Sequence, residues 1–182
     1  MSSVNQPDPS LLAAFGVYEQ SFDQLEADNG NGSRGIWPPE TELLLLLRGV
    51  AIRRGFFYGV NKTDRKAKIP STIIQFLYST MPDHPTMPGH NFGGVEFNLP
   101  DNPGQAGDAA WRLDADQKRL KGHLQVALGD EFASGAGGFR ANIEAVIRRT
   151  ATPFVVKAKL ERRPKGEGKT GTYDTDYLLS AE

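Results

Sequence analysis

Five consecutive leucines, Leu43–Leu47, constrain the fold more than any other stretch. A run of this kind has to be buried. It is too short to cross a membrane, which takes about 20 apolar residues, and Arg48 and Gly49 end it. It fits a strand buried on both faces or one turn of a buried helix, and periodicity alone does not separate the two. The flanks favour the strand. Trp37-Pro38-Pro39 bars a helix from running in from upstream. Downstream, Val50, Ile52 and Phe56 alternate with Ala51 and Arg53, and glycines stand at Gly49 and Gly55. A glycine inside a strand pattern marks a bulge or a sharp coil. The stretch Glu42–Tyr58 therefore reads as one long, bent strand, or as two strands broken at Gly55. It sets Arg48, Arg53 and Arg54 beside Phe56, Phe57 and Tyr58.

At 182 residues the chain suits one domain with a real core. Twenty glycines and twelve prolines argue for many turns and against an all-helical bundle. The absence of cysteine excludes a disulfide framework, a zinc ribbon and a thiol nucleophile, and suits a reducing cytoplasm. The first ten residues lack the basic and apolar regions of a secretory signal, so none is expected. The net charge of −1 hides segregation. Residues 1–47 carry −6, 48–72 carry +6, 73–116 carry −5, 117–171 carry +7 and 172–182 carry −3. Two basic blocks between acidic ones can build a basic face on a nearly neutral protein. A mixed, solvated surface is the competing reading.

Along the chain, residues 1–12 read as a flexible tail. Leu11, Phe15, Tyr18, Phe22 and Leu25 then recur at the spacing of a short helix packed on the core. Asp28–Gly35 reads as a flexible loop and lacks the residues of a phosphate loop. After the central strand, Asn61–Lys68 reads as a basic hairpin loop. Ser71–Thr80 carries bulk on both faces, as a central strand does. Met81–Gly107 is long, proline-rich and irregular, with a short strand at Val95–Leu99. A helix is expected from Asp114, capped by it and ended by Gly129, with Lys118, Lys121 and Gln125 on its exposed face. A second helix is expected over Phe139–Thr150. Phe154–Arg163 alternates cleanly as a strand with one cationic face, Pro164–Gly171 forms a hairpin loop, and Thr172–Leu179 returns.

A bent first strand, a helical insertion and a final hairpin match an OB-fold. The expected class is α+β or mainly β: an OB-like five-stranded barrel with helices inserted before the last two strands and an N-terminal helix. Residues 1–35 would form the tail and that helix, and 36–182 a single domain. The two loops that flank the groove of such a barrel would be Asn61–Lys68 (or the Gly55 bend) and Pro164–Gly171.

Trp37-Pro38-Pro39, the Gly49-Val50-Ala51-Ile52 run, Ile74–Tyr78, Arg119–Leu124 and the tyrosine-rich last strand resemble the phage-type single-stranded DNA-binding proteins. The resemblance spans residues 37–180. It implies a protein that coats single-stranded DNA without strong sequence preference, in phage DNA replication or recombination, in the host cytoplasm. The partners it implies are single-stranded DNA, further copies of the chain, and replication or recombination proteins. The ending Tyr173–Glu182 departs from the long acidic tail of many members.

The residues expected to carry that role are of two kinds. Arg48, Arg53, Arg54, Lys62, Arg65, Lys66, Lys68, Lys157 and Lys159 would attract the phosphate backbone, with Arg162, Lys165 and Lys169 as loop contacts. Phe57, Tyr58, Tyr78, Tyr173 and Tyr177 offer faces for stacked bases. Trp37 and Trp111 are assigned to core or loop packing. No nucleophile motif or phosphate loop stands in the chain, so no enzyme and no cofactor are expected. His84 and His90 near Asp83 match no metal-ligand spacing, and no metal is expected there. The alternative function is a β-barrel protein-interaction or assembly module, binding through Met81–Gly107 and the N-terminal helix.

Overall fold

The computed structural model describes residues 8–27, 43–61, 66–91, 95–135, 137–164, 168 and 172–181, with the backbone alone for Ala14, Gln20, 158–164 and 172–181. The fold is α+β. Five strands, β1 (Leu43–Gly59), β2 (Ala67–Thr80), β3 (Val95–Pro100), β4 (Phe154–Pro164) and β5 (Thr172–Ala181), form one antiparallel sheet in the order β3-β2-β1-β4-β5. Among the described residues the sheet is open, with β3 and β5 at its edges.

β1 is one continuous strand. Its first five residues pair with β4, Leu43 with Ala158 through Leu47 with Phe154. From Leu45 to Gly59 it pairs with β2. The register slips between Leu47 and Gly49, so Arg48 is the extra residue of a bulge, and a bulge bends its strand. Gly55 does not break the strand. It pairs with Ser71, and a Cβ there would stand 2.5 Å from Cδ1 of Ile73. β2 is buried on both faces along most of its length, as its sequence predicts.

The segment before β1 is helical from Pro9 to Phe22: α1 (Pro9–Ala13), a 3-10 turn (Ala14–Tyr18) and α2 (Glu19–Phe22). Leu12, Phe15, Tyr18 and Phe22 join the core of the sheet. Two long helices, α3 (Ala110–Leu128) and α4 (Gly138–Arg149), stand between β3 and β4. α3 lies against both edge strands, β3 and β5, so the sheet curls around it. No helix among the described residues is long and apolar enough to cross a membrane.

α3 starts at Ala110, four residues before the expected Asp114. A 3-10 turn at Pro103–Ala106 and the buried Ala106 and Ala109 lead the chain into it without a side-chain cap. Asp114 lies one turn inside and pairs with Lys118 at 2.9 Å. The face expected to be exposed is also corrected at Lys121, which is buried. Its Nζ donates to the carbonyls of Phe22 (3.0 Å), Asp23 (2.9 Å) and Leu25 (2.9 Å). Those carbonyls lie at and just past the end of a helical segment, where free acceptors gather and a cation is favoured. The reciprocal contact comes from Glu19, whose carboxylate accepts from the backbone N–H of Phe139 (3.2 Å) and Arg140 (3.0 Å) at the start of α4. Each helical segment thus supplies a missing partner to another.

Candidate functional site

The far end of β1 alternates sharply in burial. Phe57 is buried, while Phe56 is 46% and Tyr58 51% exposed. Phe56 and Tyr58, two residues apart on a strand, share a face. Across the hairpin Tyr58 pairs with Lys68, and the Lys68 ammonium stands 3.9 Å above the Phe56 ring. Beyond the end of β1 the chain meets the turn that starts α3. Val60 N–H donates to the Ala106 carbonyl (3.1 Å), and Asp108 N–H to the Val60 carbonyl (2.8 Å). This approach needs glycine. A Cβ on Gly59 would lie 2.7 Å from the Gln105 carbonyl oxygen, and one on Gly107 only 2.1 Å from that of Val60. Gly107 also has φ +57°, which side-chain-bearing residues rarely adopt.

The turn places the first residues of α3 beside the hairpin. Trp111 is 70% exposed, the most exposed large apolar side chain described. Its assignment to packing is therefore corrected. The helix starts early enough to carry it outward. Arg112 reaches back, donating to the Tyr58 carbonyl and placing its guanidinium 5.2 Å from the Phe57 ring centroid. Tyr58, Val60, Lys66, Asp108, Ala109, Trp111 and Arg112 line a cavity of about 750 Å³ that is open to solvent. That size lies within the range of about 300–1,000 Å³ typical of ligand sites.

No family model, no curated protein and no solved structure matches the chain. The site is therefore read from its own chemistry.

Of the expected site residues, Tyr58, Lys66 and Lys68 meet at this surface, all exposed. Phe57 and Tyr78 are corrected: both are buried and present no face to a base. Phe57 lies beneath Arg112, and the Tyr78 hydroxyl meets Nδ1 of His123 at 2.9 Å. Burial pushes the Tyr78 phenol well above its ordinary pKa, so it stays neutral. Arg53 and Arg54 are exposed but ion-paired. Arg53 meets Glu96 at 2.7 Å, and Arg54 grips both oxygens of Asp101 at 2.6 and 2.8 Å. The hydrogen bonds it donates to Asp101 raise the Arg54 pKa. Arg48 and Lys157 are exposed near the other end of β1, Lys157 opposite Leu44. Ten steps along the strand separate Arg48 from Tyr58, roughly 33 Å if straight.

Lys62, Arg65, Lys165, Lys169 and Trp37 lie outside the described residues. Lys159, Arg162, Tyr173 and Tyr177 are described by backbone only: Lys159 pairs with Tyr177, and Arg162 with Asp174. Phe56, Asp108, Trp111 and Arg112 belong to the surface and were not among the expected site residues. Phe56 was legible from its position two residues before Tyr58. Trp111 was hidden by a helix start placed too late. His84 serves its own turn, its Nδ1 accepting from the backbone N–H of Thr86 (3.3 Å) and Met87 (3.1 Å). Among the described residues no group of three or more histidines and carboxylates is arranged to hold a metal.

Proposed function

We propose that this protein binds single-stranded DNA on the surface formed by Phe56, Tyr58, Trp111, Lys66 and Lys68. The observation that carries the reading is the exposure of three aromatic side chains beside lysines, two of the rings lining a cavity. A folded chain gains nothing in stability by leaving such rings in water. Rings that stack bases and cations that meet phosphates are what sequence-tolerant strand binding requires. The strand order supports an OB-like reading of the fold. A bent first strand shared between β2 and β4, with helices between the third and fourth strands, accords with that connectivity, while the described β3 and β5 do not pair to close a barrel. In that reading the β1–β2 hairpin is one of the two loops that flank the groove. A role in coating single strands during phage replication or recombination follows from the resemblance of the sequence and belongs to the same proposal.

The test is fluorescence anisotropy of a labelled oligo-dT at low and at moderate salt, with duplex of equal length as control. The expected result is binding that prefers the single strand, with log affinity falling by about 0.7 per phosphate contact as log salt rises. Failure to bind at low salt would sink the proposal and bring forward the alternative of a protein-interaction or assembly module.

A further inference from the structure

Among the described residues Asp108 is the one acidic residue lining a cavity that otherwise offers rings, aliphatic side chains, a lysine and an arginine. Its backbone is fixed by the hydrogen bond to Val60, and its side chain is exposed. A carboxylate there repels phosphate. It is acceptor-only, and what it can recognise is an N–H donor. We propose that the cavity holds one nucleobase of the bound strand, with Tyr58 and Trp111 as its stacking surfaces and Asp108 reading its hydrogen-bonding edge, so that guanine is preferred. This rests on the single-strand reading above.

The preference follows from the donors each base presents. Guanine offers two adjacent N–H donors, on N1 and on its 2-amino group, which match the two oxygens of a carboxylate. Thymine offers one N–H between two carbonyl oxygens, and those oxygens would face the carboxylate unfavourably. Adenine and cytosine each present an amino group beside a ring nitrogen that is itself an acceptor. Lys66 and Lys68 then face the phosphates on either side of the held nucleotide. A single read position is compatible with otherwise sequence-tolerant coating, because the remaining contacts are stacking and charge.

The test uses the full chain and three labelled strands: all-dT, dT with one central dG, and dT with one central deoxyinosine, which keeps N1–H but lacks the 2-amino group. The dG strand is expected to bind about tenfold tighter than all-dT, the low end for a bidentate side chain–base pair, with deoxyinosine between. In Asp108→Asn the ratio of dG to dT affinity is expected to fall to about unity. Equal binding of all three strands by the wild type, or a dG preference that survives in Asp108→Asn, would overturn base reading while leaving the single-strand reading intact. Failure of every strand to bind at low salt would overturn both.

Discussion

A lysine at the centre of a helix is usually a solvated side chain, and Lys121 shows what displaces that default. Three carbonyls at and just past the end of the N-terminal helical segment converge on one ammonium, which donates to all of them, and the Phe22 carbonyl accepts from Leu25 N–H as well. Lys121→Met keeps much of the stem and removes the donors. It is expected to cost about 1–3 kcal/mol in urea unfolding, since buried acceptors are left unpaired. Faster proteolysis after the helical segment should accompany that loss. Tyr58→Ala and Trp111→Ala act elsewhere: each is expected to weaken oligo-dT binding by about 1–3 kcal/mol with little change in stability, as both rings are exposed. The sequence did not separate these rings from Phe57 and Tyr78. Adjacent aromatics on a strand face opposite ways, and only packing decides which is inward. For Tyr78 the signal was present, because a strand with bulk on both faces leaves no ring for solvent. A mid-helix lysine carries no mark of the carbonyls that will meet it from nearly 100 residues away.

Between elements, the contact of α3 with β3 turns on Asp116. Its carboxylate accepts from the Asn98 N–H at 3.2 Å and pairs with Arg119. Burial nonetheless dominates and raises its pKa above the ordinary 3.8. The folded state therefore holds this proton more tightly than the unfolded state does. The stabilisation is present at low pH and is lost as pH rises through the raised folded value. In Asp116→Asn that pH-dependent part should vanish, which urea midpoints of both proteins across the acid range would reveal. The junction of β1 with the turn before α3 depends on Gly107. Gly107→Ala is expected to destabilise by about 1–3 kcal/mol, because it meets both a forbidding φ and the Val60 carbonyl. Weaker oligo-dT binding should follow, measured on the folded fraction. Most elements were legible because period-2 and helical patterns are local. The start of α3 was not, because Ala109 and Ala110 carry no capping signal.

Across the whole molecule, charge separated along the sequence is partly recombined in space. The basic block 48–72 is covered by the acidic block 73–116, since β3 lies beside β2 and delivers Glu96 to Arg53, while Asp101 just beyond it meets Arg54. At each arginine the carboxylate competes with phosphate for the same guanidinium. Among the described residues Lys66, Lys68 and Arg112 stand beside the exposed rings, and the salt slope of oligo-dT binding counts the cations that meet phosphate, at about −0.7 each. Asp101→Asn should free Arg54 and steepen it. The strand order was readable from the succession of patterns. The neutralisation was not, because it depends on which strands become neighbours.

The divided pairing of β1 also bears on how the chain is made. Leu43–Leu47 waits for Phe154–Ala158, more than 100 residues later, before one of its edges is filled. Such distant pairing is slow to form. Until it forms, a growing chain carries a leucine-rich strand with an open edge, a template for self-association. Chains cut short before Phe154 should aggregate, and production of this protein should be limited by the interval between synthesis of those two strands.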